Sequence, residues 1–89
     1  MEKAEIFEKI DSEINYQDIK DKKNNKSISD YIIKIEHNLN EAKNSKYYSY
    51  DNECLSRIRK IAALAIQCLE DFGCPERGVH PGKTIHPNE

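Results

Sequence analysis

Neither glycine nor proline occurs in the first 72 residues of the chain; all three glycines and all three prolines lie between Gly73 and Pro87. These residues are the strongest punctuation a sequence carries, so a long run of mixed charge without them predicts helices. No stretch alternates β-branched and polar residues with period two, which argues against a sheet. The chain has 89 residues, which sets the scale at one domain. That is too short for a dinucleotide-binding unit with a substrate domain, or for a TIM barrel.

The apolar periodicity predicts an all-α, three-helix antiparallel unit over about 2–17, 27–45 and 51–72, the single domain 1–72, followed by an extended C-terminal tail, 73–89. In the first helix Ile6, Phe7, Ile10 and Ile14 form one narrow stripe. The segment from Lys20 to Lys26 has no apolar residue and reads as a joint. Ser27 with Asp30 three residues on resembles a capping box. Behind it Ile28, Tyr31, Ile32, Ile35, Leu39 and Ala42 form the second stripe. Lys46 to Tyr50 is the second joint, with Ser49 or Asp51 as cap of the third helix. That helix should stop at Gly73, a C-terminal glycine followed by Pro75.

The third helix differs from the other two. From Cys54 to Phe72 its apolar residues cover about 200° of arc, roughly twice what an ordinary surface helix needs. Only 37% of the residues are hydrophobic against 34% charged, with a mean hydropathy of −0.87. So small a chain buries roughly 60–65% of its unfolded surface. Both facts predict completion by a homo-oligomer, dimer or higher, packed through helix 51–72, with Ala62, Ala63 and Ala65 permitting close approach.

Fourteen basic residues face sixteen acidic ones, for a net charge of −2. Proteins that coat nucleic acid carry a basic excess, so nucleic acid is an unlikely partner. No run approaches the 18 apolar residues of a membrane span. The charged start, Met1 to Glu5, has no apolar signal region. The three cysteines Cys54, Cys68 and Cys74 are an odd number and suggest no disulfide framework. Together these predict a cytoplasmic protein. Twelve isoleucines against four leucines read as AT-rich coding, hence a low-GC bacterium or its phage.

The candidate ligand-binding residues are cations and tyrosines. Arg57 falls at the edge of the apolar arc with Lys60 further round, and Arg59 is the third cation of the run. A guanidinium there wants a fixed anion, either a ligand phosphate or a carboxylate of the protein such as Glu36. Tyr47, Tyr48 and Tyr50 precede the helix and could stack a nucleobase or close the end of the bundle. Carboxylates do not cluster inward: Glu36 lies at a stripe edge, Glu41 points away, and Glu53, Glu70 and Asp71 sit toward helix ends. No catalytic residue, metal site or cofactor is expected on this pattern. Cys74, His80 and His86 in the tail lack zinc-ligand spacing.

The segments Ser29-Asp30-Tyr31-Ile32-Ile33-Lys34-Ile35 and Arg59-Lys60-Ile61-Ala62-Ala63-Leu64-Ala65-Ile66, with Cys68-Leu69-Glu70, resemble small phage and prophage proteins. These are related to the all-α nucleoside-triphosphate pyrophosphohydrolases of the MazG-like fold. The resemblance covers about half the chain, Ile28 to Arg77. It implies a helical oligomer with a nucleotide site between helices. Enzymes of that family hold Mg²⁺ with E-x-x-E on one helix and E-x-x-D on a later one. This chain departs from both: Glu36 and Glu41 are five apart, and Arg57-Ile58-Arg59-Lys60 stands where E-x-x-D is expected. Two cations in place of two anions repel a metal but contact phosphate directly. The expectation is a non-enzymatic, phage-type protein that sequesters a phosphate-bearing nucleotide, conceivably a host-defence signal. The alternatives are a divergent Mg²⁺-dependent pyrophosphohydrolase and a helical protein-interaction module.

Overall fold

A computed structural model describes residues 1–20 and 26–78. It is all-α, with α1 spanning Lys3–Lys20, α2 Ile28–Tyr47 and α3 Asp51–Phe72, and no strand among the described residues. The long stretch without breakers is thus converted into three packed helices. α3 lies in the middle: α1 and α2 both pack on it and not on each other. Tyr31 meets Asp71 and Asn38 meets Arg57, so α2 runs antiparallel to α3. Glu13 meets Arg59 and Asp18 meets Gln67, so α1 runs parallel to it.

Local chemistry explains most helix ends. The Ser27 hydroxyl accepts from the Asp30 N–H at 3.1 Å, and the Asp30 carboxylate accepts from the Ser27 N–H at 2.9 Å. These two bonds close a capping box and hold the Asp30 carboxyl below its ordinary value. α2 runs on to Tyr47, so that tyrosine is helical rather than part of a joint, and the connection shrinks to residues 48–50. Ser49 takes a left-handed φ of 62°, unusual for a residue with a Cβ, to make this tight turn. The N-cap of α3 is Tyr50, without a side-chain cap, and neither Ser49 nor Asp51 fills that role. Asp51 instead pairs with Lys46 at 2.9 Å across the turn. α3 ends at Gly73, whose φ of 105° suits only glycine and whose N–H bonds the Leu69 carbonyl at 2.8 Å.

The core is small and centred on α3. Ile10 and Ile14 of α1 pack on Ala63, which is 0% exposed, with Ala62 and Ile66 alongside. On the other flank Tyr31 and Ala42 of α2 are buried, as is Leu64. Of the expected stripes, Ile10, Ile14, Tyr31 and Ala42 are buried, but Ile6, Phe7, Ile28, Ile32 and Leu39 are exposed. Polar residues are buried at these contacts instead: Glu13 of α1 and Asn38 of α2 against α3, and Gln67 on α3 itself. The shift follows from the layout. Each outer helix has one neighbour, so only a narrow face is covered and the rest of its apolar arc stays open. Gly73 to Gly78 follow without regular secondary structure. The tail candidate Cys74 is exposed; His80 and His86 lie outside the described residues.

Candidate anion-binding groove

Because α1 and α2 do not touch, α3 looks out through a gap between them, and Lys60 stands in that gap. It lines two adjoining hollows. One, of about 540 Å³, is bounded on the α1 side by Lys9, Ser12, Glu13, Tyr16 and Arg59. The other, of about 440 Å³, lies toward α2. Gln17 of α1, Lys34, His37 and Asn38 of α2, and Arg57 and Lys60 of α3 supply its polar lining, with Ile33 and Leu64 as the apolar part. No carboxylate lines this second hollow.

Arg57 is held in place by neighbours on both helices. Its Nη1 donates to the Asn38 Oδ1 at 3.1 Å, and Asn38 is itself fixed by donating from Nδ2 to the Lys34 carbonyl at 2.9 Å. The carboxylates of Glu41 and Glu53 approach the guanidinium at 3.7 Å each. Glu36, expected as the partner, is exposed and makes no such contact, while Glu41, expected to point away, does. The rotation of α2 that buries Asn38 carries Glu41 round toward α3. At 3.7 Å these are charge contacts, longer than hydrogen bonds. A guanidinium has five donors, and only one is committed to a short bond, so Arg57 retains donors to offer an anion.

The other candidates are placed differently. Arg59 turns to α1, where its Nε donates to the Glu13 Oε1 at 3.0 Å while Gln17 donates to Oε2 at 2.9 Å. Burial works against the Glu13 charge. The bonds from Gln17 and Arg59 and the nearby charges of Lys60 and Arg59 outweigh it, so the carboxyl stays below its ordinary value of 4.5. Lys60 makes no hydrogen bond or ion pair among the described residues. Tyr47, Tyr48 and Tyr50 are exposed at the α2–α3 turn and pack on one another, with ring centroids 5.0 Å apart for the first two and 6.1 Å for the last two. None of them lines either hollow.

Several polar residues of the groove were not singled out from sequence, among them Lys34, His37, Asn38 and Glu13. Lys34 and His37 are three apart on α2, and Asn38 lies seven after Tyr31, where the stripe itself passes. Glu13 lies three after Ile10 in the same way. Asn38 and Glu13 fall just beside the apolar stripes, where a polar residue is easily passed over, while Lys34 and His37 lie well off the α2 stripe, so periodicity did not point to them. No group of three or more His, Cys, Asp or Glu among the described residues could hold a metal ion. No helix there is long and apolar enough to cross a membrane. Compared with protein families, characterised proteins and solved structures, the chain matches none.

Proposed function

We propose that the protein is a non-enzymatic binder of a phosphate-bearing nucleotide, held in the groove between α2 and α3. The observation that carries this reading is the convergence of Lys34, His37, Arg57 and Lys60 on one hollow whose lining holds no carboxylate. Arg57 and Lys60 contact phosphate, Lys34 and His37 approach from the facing helix, and Asn38 fixes the guanidinium. Arg59, bound to Glu13, acts in attaching α1 and not in the ligand site. Sequestration of a nucleotide used in host-defence signalling, where tight stoichiometric capture suffices, rests on the sequence resemblance to phage proteins alone.

A thermal-shift screen against mono-, di- and cyclic nucleotides with EDTA present tests it, since a ligand that binds only the folded state raises Tm. For any hit, calorimetric titration should show that Arg57→Ala weakens binding by about ten- to a hundredfold, the effect of losing a hydrogen bond to a charged group. Lys60→Ala should cost less, because a solvated ammonium makes no fixed fork. Pyrophosphate release from nucleotides with Mg²⁺, abolished in Glu36→Gln, would replace this reading with the pyrophosphohydrolase. One observation favours the interaction-module reading instead: Arg57 already has Asn38, Glu41 and Glu53 around it. On that reading Arg57→Ala lowers Tm and no nucleotide raises it.

A further inference from the structure

Opposite the gap that holds Lys60, α3 is uncovered a second time, and here its surface is apolar. Leu55, Ile58, Ala62, Ala65, Leu69 and Phe72 follow one another at spacings of 3, 4, 3, 4 and 3. That is the a/d repeat of a coiled-coil seam, sustained over the whole helix. Its four large members are 42–60% exposed, although α1 and α2 are both in place. The flanking residues Arg59 and Ile66 lean to α1, and Ile61 and Cys68 to α2, so no free charge enters the seam.

The order of residues in this seam is palindromic about a point between Ala63 and Leu64. Reversed, it places Ala62 against Ala65, Ile58 against Leu69 and Leu55 against Phe72. Small faces small at the centre, and large faces large at the ends. The surface around the seam carries the same complementarity. Near Leu55 and Ile58 the seam opens into an apolar groove of about 580 Å³ that Met1, together with Ile6 and Ile10 of α1, completes with Ala62. At the other end Phe72 stands 49% exposed, touching only the Tyr31 ring edge-on among the aromatic residues described. A two-fold axis at the palindrome centre lays Phe72 of one copy into that groove of the other. The same rotation brings the exposed Glu70 of one copy toward Lys9 and Arg59 at the groove rim of the other.

We propose that the protein is a two-fold dimer in which α3 of one copy pairs antiparallel with α3 of a second, Ala62 crossing Ala65. Such an interface is isologous, each copy supplying the same patch to the other. It does not rest on the nucleotide reading, since the groove between α2 and α3 faces away from it.

Light scattering on the intact protein at micromolar concentration should give two subunits or an even multiple; one subunit or three would overturn the proposal. Leu55→Glu, at an exposed position, should keep the helical circular dichroism and give a single-subunit mass, whereas an unchanged oligomer would place the interface elsewhere. The register is read by disulfides, with Cys54, Cys68 and Cys74 changed to serine. Ile58→Cys together with Leu69→Cys should yield a cross-linked dimer on a non-reducing gel. Each single change should not, because equivalent positions are eleven residues apart along antiparallel helices, about 16 Å, beyond disulfide reach. Efficient cross-linking by Ile58→Cys alone would mean parallel helices and overturn the arrangement.

Discussion

Where α1 meets α3, the centre is two isoleucines on one alanine, and the polar contributions are a buried carboxylate, Glu13, and the bond from Gln67 to Asp18. Where α2 meets α3, the centre is Tyr31, Ala42 and Leu64, and the polar contributions are a phenol, an amide and half-exposed charges. Tyr31 donates to Asp71 at 2.7 Å, and burial together with that carboxylate pushes its phenol well above the usual range, so it stays neutral. The difference teaches where each contact is vulnerable. The α1 contact depends on close packing against a small residue and on a buried carboxylate that its partners hold ionised below its ordinary range. The α2 contact depends on bonds spread along the helix, each with one charged member: Tyr31 to the Asp71 carboxylate, and the Arg57 guanidinium to Asn38.

The largest effect should come from Ile14→Ala. Removing a buried isoleucine side chain costs about 2–5 kcal/mol, and the partly open site puts this one toward the lower end. Amide exchange should rise through α1 and leave α2 protected; equal loss in both would remove the distinction between the two contacts. Glu13→Gln comes next, at about 1–2 kcal/mol, because it weakens a charge-assisted bond whose arginine is partly solvated. The pH dependence has a definite sign. The Glu13 carboxyl is lowered in the folded protein, so its contribution is complete above its ordinary value of 4.5 and is lost as pH falls through the lowered one. Denaturant titrations between neutral pH and pH 3 should show wild-type converging on Glu13→Gln.

Tyr31→Phe removes a single hydrogen bond to an exposed carboxylate and should lower stability by about 1 kcal/mol in a urea titration. Asp51→Asn, which breaks the exposed pair with Lys46, should leave the urea midpoint essentially unchanged. A larger shift there would mean that the α2–α3 turn carries more of the α2 attachment than the helix faces do.

The helices themselves were legible because their boundaries are written in special residues. The capping pair Ser27 and Asp30, the absence of breakers and the stop at Gly73 each have a local mechanism. The extent of α2 was less so: nothing in Lys46-Tyr47 signals that the last turn continues to Tyr47, since its carbonyls are satisfied by the N–H groups of the turn that follows. Arg57 and Lys60 could be placed on one side of α3 by spacing alone. Which anions reach Arg57 could not, because that depends on how α2 is rotated where it crosses, and Asn38 at the buried position decides it. Arg59 was grouped with its neighbours by sequence and separated from them by the fold, since Glu13 on α1 captures it.

The three-residue turn has a consequence for the order in which the molecule assembles. Closing so short a connection costs little chain entropy, so α2 and α3 can zip together as a helical hairpin early. α1 has no such advantage: its bonds to α3 join residues 46 and 49 positions apart. It must therefore dock last, and it is the element that opens first when the protein breathes. Each such opening uncovers Ala63 and Ile66 and frees Arg59, while the α2–α3 hairpin with Arg57 on Asn38 stays intact.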